Sequence, residues 1–224
     1  MVRTVNEQEY AERRNAILDV TQQLVDTKGY EQMAIQDILD TLQISKGAFY
    51  HYFNSKADLL FALVERWGDR IEQIVLPIVQ DPNLSALDKF ARYFSQVNQF
   101  KLEHKQMAFA LMRVWYADEN AIVRHKIYMI QVKRLVPLLT QIISQGVEEG
   151  IFKTPYPEQA ARMMITLMND LGYAFAAFHF EEGMISESPQ IARIAAATVD
   201  GLERVLGAQS GCLQESWREA LSQW

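Results

Sequence analysis

Residues Ile35–Leu60, IQDILDTLQISKGAFYHYFNSKADLL, decide how this chain is read. Ile35, Ile38, Leu39 and Leu42 recur at helical spacing, and after a break at Gln43 a second apolar stripe of Ile44, Phe49 and Phe53 follows. Two short helices therefore share one small core. Ser45 stands where an N-cap belongs, its hydroxyl able to accept a hydrogen bond from a free amide of the first turn, so the second helix begins at Lys46. With Phe49 and Phe53 turned inward, Lys46, Gly47, Ala48, Tyr50 and His51 are left toward solvent. Donors, one cation and small residues that permit close approach suit the major groove of duplex DNA.

Charge is distributed unevenly around this face. The 224 residues carry a formal net charge of -6, and residues 1–54 set Arg3, Arg13, Arg14, Lys28 and Lys46 against eight acids. From Thr41 to Ala57, however, there is no acid at all, and Lys46, His51 and Lys56 fall there. A locally positive face on an acidic body leaves affinity for a polyanion dependent on a few well-placed contacts.

The 49% of hydrophobic residues suffices for a buried core, and helical periodicity dominates, so the expected fold is all-α. No apolar run approaches membrane-spanning length and the N-terminus lacks the apolar segment of a signal peptide, which makes the cytoplasm the expected location. The single cysteine, Cys212, reads as an incidental thiol. There is no glycine-rich phosphate loop, nucleophile elbow or paired-histidine helix, so no catalytic residue, metal site or cofactor is expected, and an enzyme is disfavoured.

Beyond the opening module, Ser55 with Asp58 and Ser85 with Asp88 carry the capping-box signature ahead of two amphipathic helices. The turn Asp81-Pro82-Asn83 separates them. A short helix through Met107, Leu111 and Trp115 follows, then a long one from Ile122 to about Glu149 in which Pro137 predicts a bend and Gly150 a stop. Two further helices, from Pro157 and from Ser188-Pro189, have apolar residues on more than one face. Leu213, Trp217, Leu221 and Trp224 predict one more amphipathic helix in the tail. Large adaptable side chains between Trp67 and His179 could line a cavity for an apolar or partly aromatic small molecule. The candidates are Trp67, Phe100, Met112, Trp115, Tyr116, Met168, Asn169 and Tyr173.

The opening segment resembles the DNA-binding domain of the TetR family of bacterial transcriptional regulators. The resemblance rests on Arg14, Ile17 and Leu18 leading to Gly29-Tyr30, the Asp37-Ile38 pair, Ile44-Ser45-Lys46-Gly47, the run Phe49-Tyr50-His51-Tyr52-Phe53, and Ser55-Lys56 before Leu59-Leu60. Gln43 replaces the family's usual turn glycine, Leu39 a small residue, and Met33-Ala34 the hydroxyl residues that cap the second helix. The resemblance implies a helix-turn-helix domain over 1–54 and an all-α effector-binding and dimerisation domain over 55–224. It implies a regulator, most simply a repressor, bound to a pseudo-palindromic operator as a homodimer and released by a small-molecule effector. Gln36, Ser45, Lys46, Gly47, Ala48 and Tyr50 would face bases or adjoining backbone, with His51, Tyr52 and Lys56 holding phosphates. Tyr52 reads equally well as a half-buried core aromatic. Met164, Leu167, Leu171, Phe175, Ile194, Thr198 and Leu202 would form the dimer interface. An all-α enzyme and a protein-binding adaptor remain as alternatives, but neither accounts for the surface from Lys46 to Lys56 as simply.

Overall fold

A computed structural model describes residues 7–116, 121–178 and 189–214, without the side chains of 114–116 and 123. All regular structure among them is helical: α1 (Glu7–Lys28), α2 (Ile35–Leu42), α3 (Lys46–Tyr50), α4 (Lys56–Gln80), α5 (Ala86–Glu103), α6 (Lys105–Tyr116), α7 (Ala121–Glu148), α8 (Pro157–Ala177) and α9 (Pro189–Leu206). Ser188 and the tail beyond Gln214, where a cap and a further helix were expected, lie outside the described residues.

The chain divides into two compact units, and the division is not the one expected at residues 54/55. The first unit comprises α1 to α3, α4 as far as Trp67, and the segment His104–Ile127 with α6. Leu59, Leu60 and Leu63 explain why the start of α4 belongs there, since each is buried alongside Ile17, Leu18, Ile38, Phe49 and Phe53. Arg66 adds a polar tie to α1: its guanidinium donates to Asp19 Oδ1 at 2.5 Å, Gln22 Oε1 at 2.8 Å and the Leu18 carbonyl at 3.1 Å. Satisfying three acceptors at once makes this a strong local anchor.

The second unit takes α4 from Gly68, α5, α7 from Tyr128, α8 and α9. Phe90, Leu139, Ile142, Ile143, Ala161, Met164, Leu202 and Leu206 are buried in its core. Ser85 Oγ accepts the Asp88 amide at 3.1 Å and caps α5, as its sequence predicts, and Asp81 Oδ1 accepts the Asn83 amide at 2.9 Å in the preceding turn. Arg134 on α7 pairs with Asp69 and Glu72 of α4. Helix α7 continues through Pro137, which is exposed, and α4 through Pro77. Two buried charged residues are both committed: Lys89 donates to the Val79 carbonyl near the end of α4 at 2.7 Å, and Glu203 accepts the Gly211 and Leu213 amides, each at 2.8 Å.

The connection after α7 depends on two glycines. Gly150 has φ of +75°, in the left-handed region, and ends the helix as its sequence predicts. Gly146 is needed for space, because an added Cβ would lie 2.1 Å from the ring of Phe152, a side chain only 2% exposed, whose amide bonds to the Gly146 carbonyl at 2.9 Å. The ring has nowhere to retreat. Gly146→Ala is therefore expected to destabilise the fold by about 1–3 kcal/mol, despite the better helix propensity of alanine. The denaturant midpoint checks this, and an unchanged midpoint would show that the ring yields freely.

Candidate nucleic-acid interface

The start of α2 lacks a side-chain cap of its own, since Ala34 stands at the cap position. Asp37 supplies the missing acceptor from within the helix: its Oδ2 accepts the Ala34 amide at 2.6 Å and also binds the Lys28 ammonium at 2.6 Å. The Lys28 hydrogen bond, and after it the Ala34 amide, hold the Asp37 carboxyl below the usual carboxylate range. At the other end of α2, Gln43 adopts the left-handed conformation at φ 51°, ψ 42°, and the Ile44 amide reaches back to the Leu39 carbonyl at 3.1 Å. Gln43 thus makes the turn a glycine would make, at a conformational cost of about 1–2 kcal/mol.

Helix α3 follows at once. Ser45 Oγ accepts the Ala48 amide at 3.2 Å, so this serine caps the helix through its oxygen. Phe49 and Phe53 are buried, and Lys46, Gly47, Ala48, Tyr50 and His51 are all exposed. The Lys46 ammonium lies over the Tyr50 ring, 5.9 Å from its centroid. A Cβ added to Gly47 would meet only Ser45 Oγ, at 3.9 Å, so nothing among the described residues covers the middle of this face. Gln36, on α2, is exposed and donates to Asp40 Oδ1 at 2.7 Å.

Two aromatic side chains after α3 are held by a residue that sequence reading missed. The Tyr10 ring, on α1, packs edge-on against His51 at 5.7 Å between centroids and at a tilt against Tyr52 at 4.8 Å. One turn further on, the Arg14 guanidinium lies 5.1 Å over the Phe53 ring. Tyr10 and Arg14, four residues apart and so on one face of α1, are the only signal in the sequence. Tyr52 is accordingly half-buried.

Lys56 is placed differently from expectation. Its ammonium donates to the Glu31 carbonyl at 3.2 Å and sits 4.4 Å above the Tyr30 ring, while the Tyr30 hydroxyl donates to the Lys56 carbonyl at 3.1 Å. Burial pushes the Lys56 ammonium below its ordinary pKa. The lysine expected to grip a phosphate thus also braces the start of α4 against the loop after α1. Ser55 Oγ accepts the Asp58 amide at 3.0 Å, which completes the expected cap of α4.

The residues expected to line a ligand cavity are divided between the two units. Trp67, buried with its ring 5.8 Å from that of His104, and Met112 belong to the first. Phe100, Met168, Asn169 and Tyr173 belong to the second, and the side chains of Trp115 and Tyr116 lie outside the described residues. Tyr173 is 39% exposed, and Asn169 Nδ2 is a buried donor with no acceptor among the described residues. Of the expected dimer contacts, Met164, Leu171, Thr198 and Leu202 are buried within the single chain, because α8 and α9 pack closely on each other and turn these side chains into their shared core. Leu167, Phe175 and Ile194 are half-buried, and the outward surface is carried by Met163, 54% exposed, with Thr166 on α8 and Ala192, Ala196 and Ala197 on α9. No group of metal-ligating residues occurs among the described residues, and no helix there is long and apolar enough to cross a membrane.

A short helix that presents an uncovered face on a buried aromatic base, behind a tight left-handed turn, defines a helix-turn-helix module. Residues 17–63 match the family described as bacterial regulatory proteins of the tetR family, and residues 113–187 match the tetracyclin repressor-like C-terminal domain. The chain belongs to the TetR family. It is 32% identical over 88 residues to the HTH-type transcriptional repressor NemR of Escherichia coli, a match that covers 39% of this chain and 44% of NemR. It is 28% identical over 111 residues to the repressor KstR of Rhodococcus jostii, covering 49% and 51%. The matches thus span about half or less of these relatives. A TetR-family regulator from Pectobacterium atrosepticum shares the fold at a TM-score of 0.65 and 18% identity, over 92% of this chain and 98% of that one.

The Asp37 cap gives the module an acid-sensitive support. Its folded pKa lies below the unfolded one, so its contribution is complete above the ordinary carboxylate range and is lost as pH falls through that range toward the folded value. Asp37→Asn should therefore be less stable than the parent protein near neutral pH, with a difference that shrinks below about pH 4. Chemical denaturation across this range measures it, and a difference independent of pH would refute the role of the charge.

Proposed function

We propose that the protein is a DNA-binding transcriptional repressor that occupies a pseudo-palindromic operator as a homodimer and is released by a small-molecule effector. The observation that carries this reading is the uncovered face Lys46-Gly47-Ala48 with Tyr50 and His51, in a stretch free of acids on an acidic chain. Lys46 and Tyr50 read base edges, Gln36 and the Gly47-Ala48 surface make the close approach, and His51 and Tyr52 hold the backbone. Lys56 also supports this grip through Tyr30. In a two-fold dimer the recognition helices would lie about 34–36 Å apart, or a multiple of the helical turn. A cytoplasmic location follows from the role.

The effector would bind in the helical region beyond the reading module. Asn169 is a polar group there that lacks a partner, and a buried donor without an acceptor costs about 1–3 kcal/mol until a ligand supplies one. Helix α4 contributes to both units and covalently joins them, so it is the natural carrier of the signal. A coupling of about 1–3 kcal/mol would suffice, and operator DNA must then weaken effector binding by the same factor.

Lys46→Ala and Tyr50→Ala are each expected to weaken operator binding by about 1–3 kcal/mol and to relax its sequence preference. Titration at fixed salt checks this, with an operator recovered from genomic fragments that the purified protein retains. Full affinity in both variants would remove the assignment.

The dimer has its own test. A charge at Met163 should leave the subunit folded but split the dimer, whereas the same charge at Leu202, buried within one chain, should unfold it. Sedimentation at micromolar concentration, read beside the thermal transition, distinguishes the two, and a stable monomer for the parent protein would refute the interface.

A further inference from the structure

We infer that Arg14, on α1, is a phosphate-binding residue of the DNA interface, held ready for the backbone by the ring of Phe53. The inference rests on the DNA-binding role proposed above and adds a contact from outside the helix-turn-helix pair.

Its basis is which cations are already engaged. Between residues 7 and 67 there are six: Arg13, Arg14, Lys28, Lys46, Lys56 and Arg66. Arg13 is paired with Glu9, Lys28 with Asp37 and Arg66 with Asp19, and Lys56 donates to the Glu31 carbonyl. Of these six, Lys46 and Arg14 are the two with no acceptor among the described residues, and each lies over an aromatic ring of the run 49–53, Lys46 over Tyr50 and Arg14 over Phe53 at 5.1 Å. A ring face restrains a guanidinium without neutralising it, and the five N–H donors in its plane stay available for a bidentate partner. Phe53 is 1% exposed and cannot swing away, so the half-buried Arg14 is held on a fixed support. A partly desolvated cation with no acceptor is costly unless an anion arrives.

The anion expected here is a DNA phosphate. Tyr10, one turn before Arg14, packs on His51 and Tyr52, the pair assigned to the backbone, so Tyr10 and Arg14 of α1 together border residues 51–53. Arg14 thereby supplies a cation on the α1 side of this segment, in addition to Lys56, whose ammonium is held by the Glu31 carbonyl and the Tyr30 ring.

A phosphate contact carries no sequence information, and this makes it testable without the operator. The probe is a mixed-sequence duplex of about 40 base pairs, titrated with the full-length protein over a range of monovalent salt. Arg14→Gln should lower affinity roughly tenfold per reading module at 0.1 M salt and reduce the slope of log K against log salt by about 0.9 per module, and Arg14→Lys should restore most of the slope. A merely structural role for Arg14 would change the melting temperature but leave the slope intact, and that result overturns the inference. On the parent protein, an arginine-specific dicarbonyl reagent read by mass spectrometry should find Arg14 protected by the duplex while Arg193, exposed on α9, stays reactive. Absence of that protection also overturns it, even if the variants do not fold. If Lys46→Ala weakens binding and Arg14→Gln does not alter the slope, only the Arg14 contact fails. If the parent protein shows no salt-dependent binding to duplex DNA, the functional reading fails with it.

Discussion

Burial of Phe49 and Phe53 is the constraint on which the reading module depends. Helix α3 has five residues, little more than one turn, and an isolated helix of that length does not persist in water. It exists because its two inward rings, 0% and 1% exposed, complete a core with Ile17, Leu18, Ile38 and Leu59. The Ser45 cap and the left-handed turn at Gln43 set the direction in which the chain enters that core. The outward face follows from the inward one: once the rings are fixed, Lys46, Gly47, Ala48 and Tyr50 have no freedom to be anywhere but outside.

The same rings organise charge. In this module carboxylates take up Arg13, Lys28 and Arg66, while aromatic faces hold Lys46, Arg14 and Lys56 without cancelling them. An acidic protein can in this way present a small cationic surface to a polyanion. Because so few charges are left over, what it binds depends on where they stand more than on how many there are.

Most local signals are legible in the sequence, and non-local ones are not. The Ser45, Ser55 and Ser85 caps and the Gly150 stop are fixed by residues within four positions of each other, and the structure has them all. The Asp37 substitute for a hydroxyl cap was equally local but reversed in direction, and so was overlooked. Contacts between α1 and the residues after α3, and the engagement of Lys56 by Glu31 and Tyr30, join positions 25 to 42 apart that no periodicity connects. For α8 and α9, apolar residues on several faces showed that more than one partner is needed. They could not show that Met164, Leu171, Thr198 and Leu202 would be taken by the subunit itself. The division of the chain was hidden for a related reason, since α6 joins the first unit after an excursion of more than thirty residues.

Glu203 ties the segment after α9 back onto that helix. Its carboxylate is 2% exposed and its two donors come from Gly211 and Leu213, beyond the end of α9, while the Lys153 and Thr154 amides both take the Leu206 carbonyl. Residues 208–214 are thus bonded to α9 rather than merely trailing from it. A protease or a truncated expression clone that cut the chain just after Gly207 would remove no helix among the described residues, yet would strip a buried carboxylate of both its donors, a loss that exceeds that of any ordinary surface trimming.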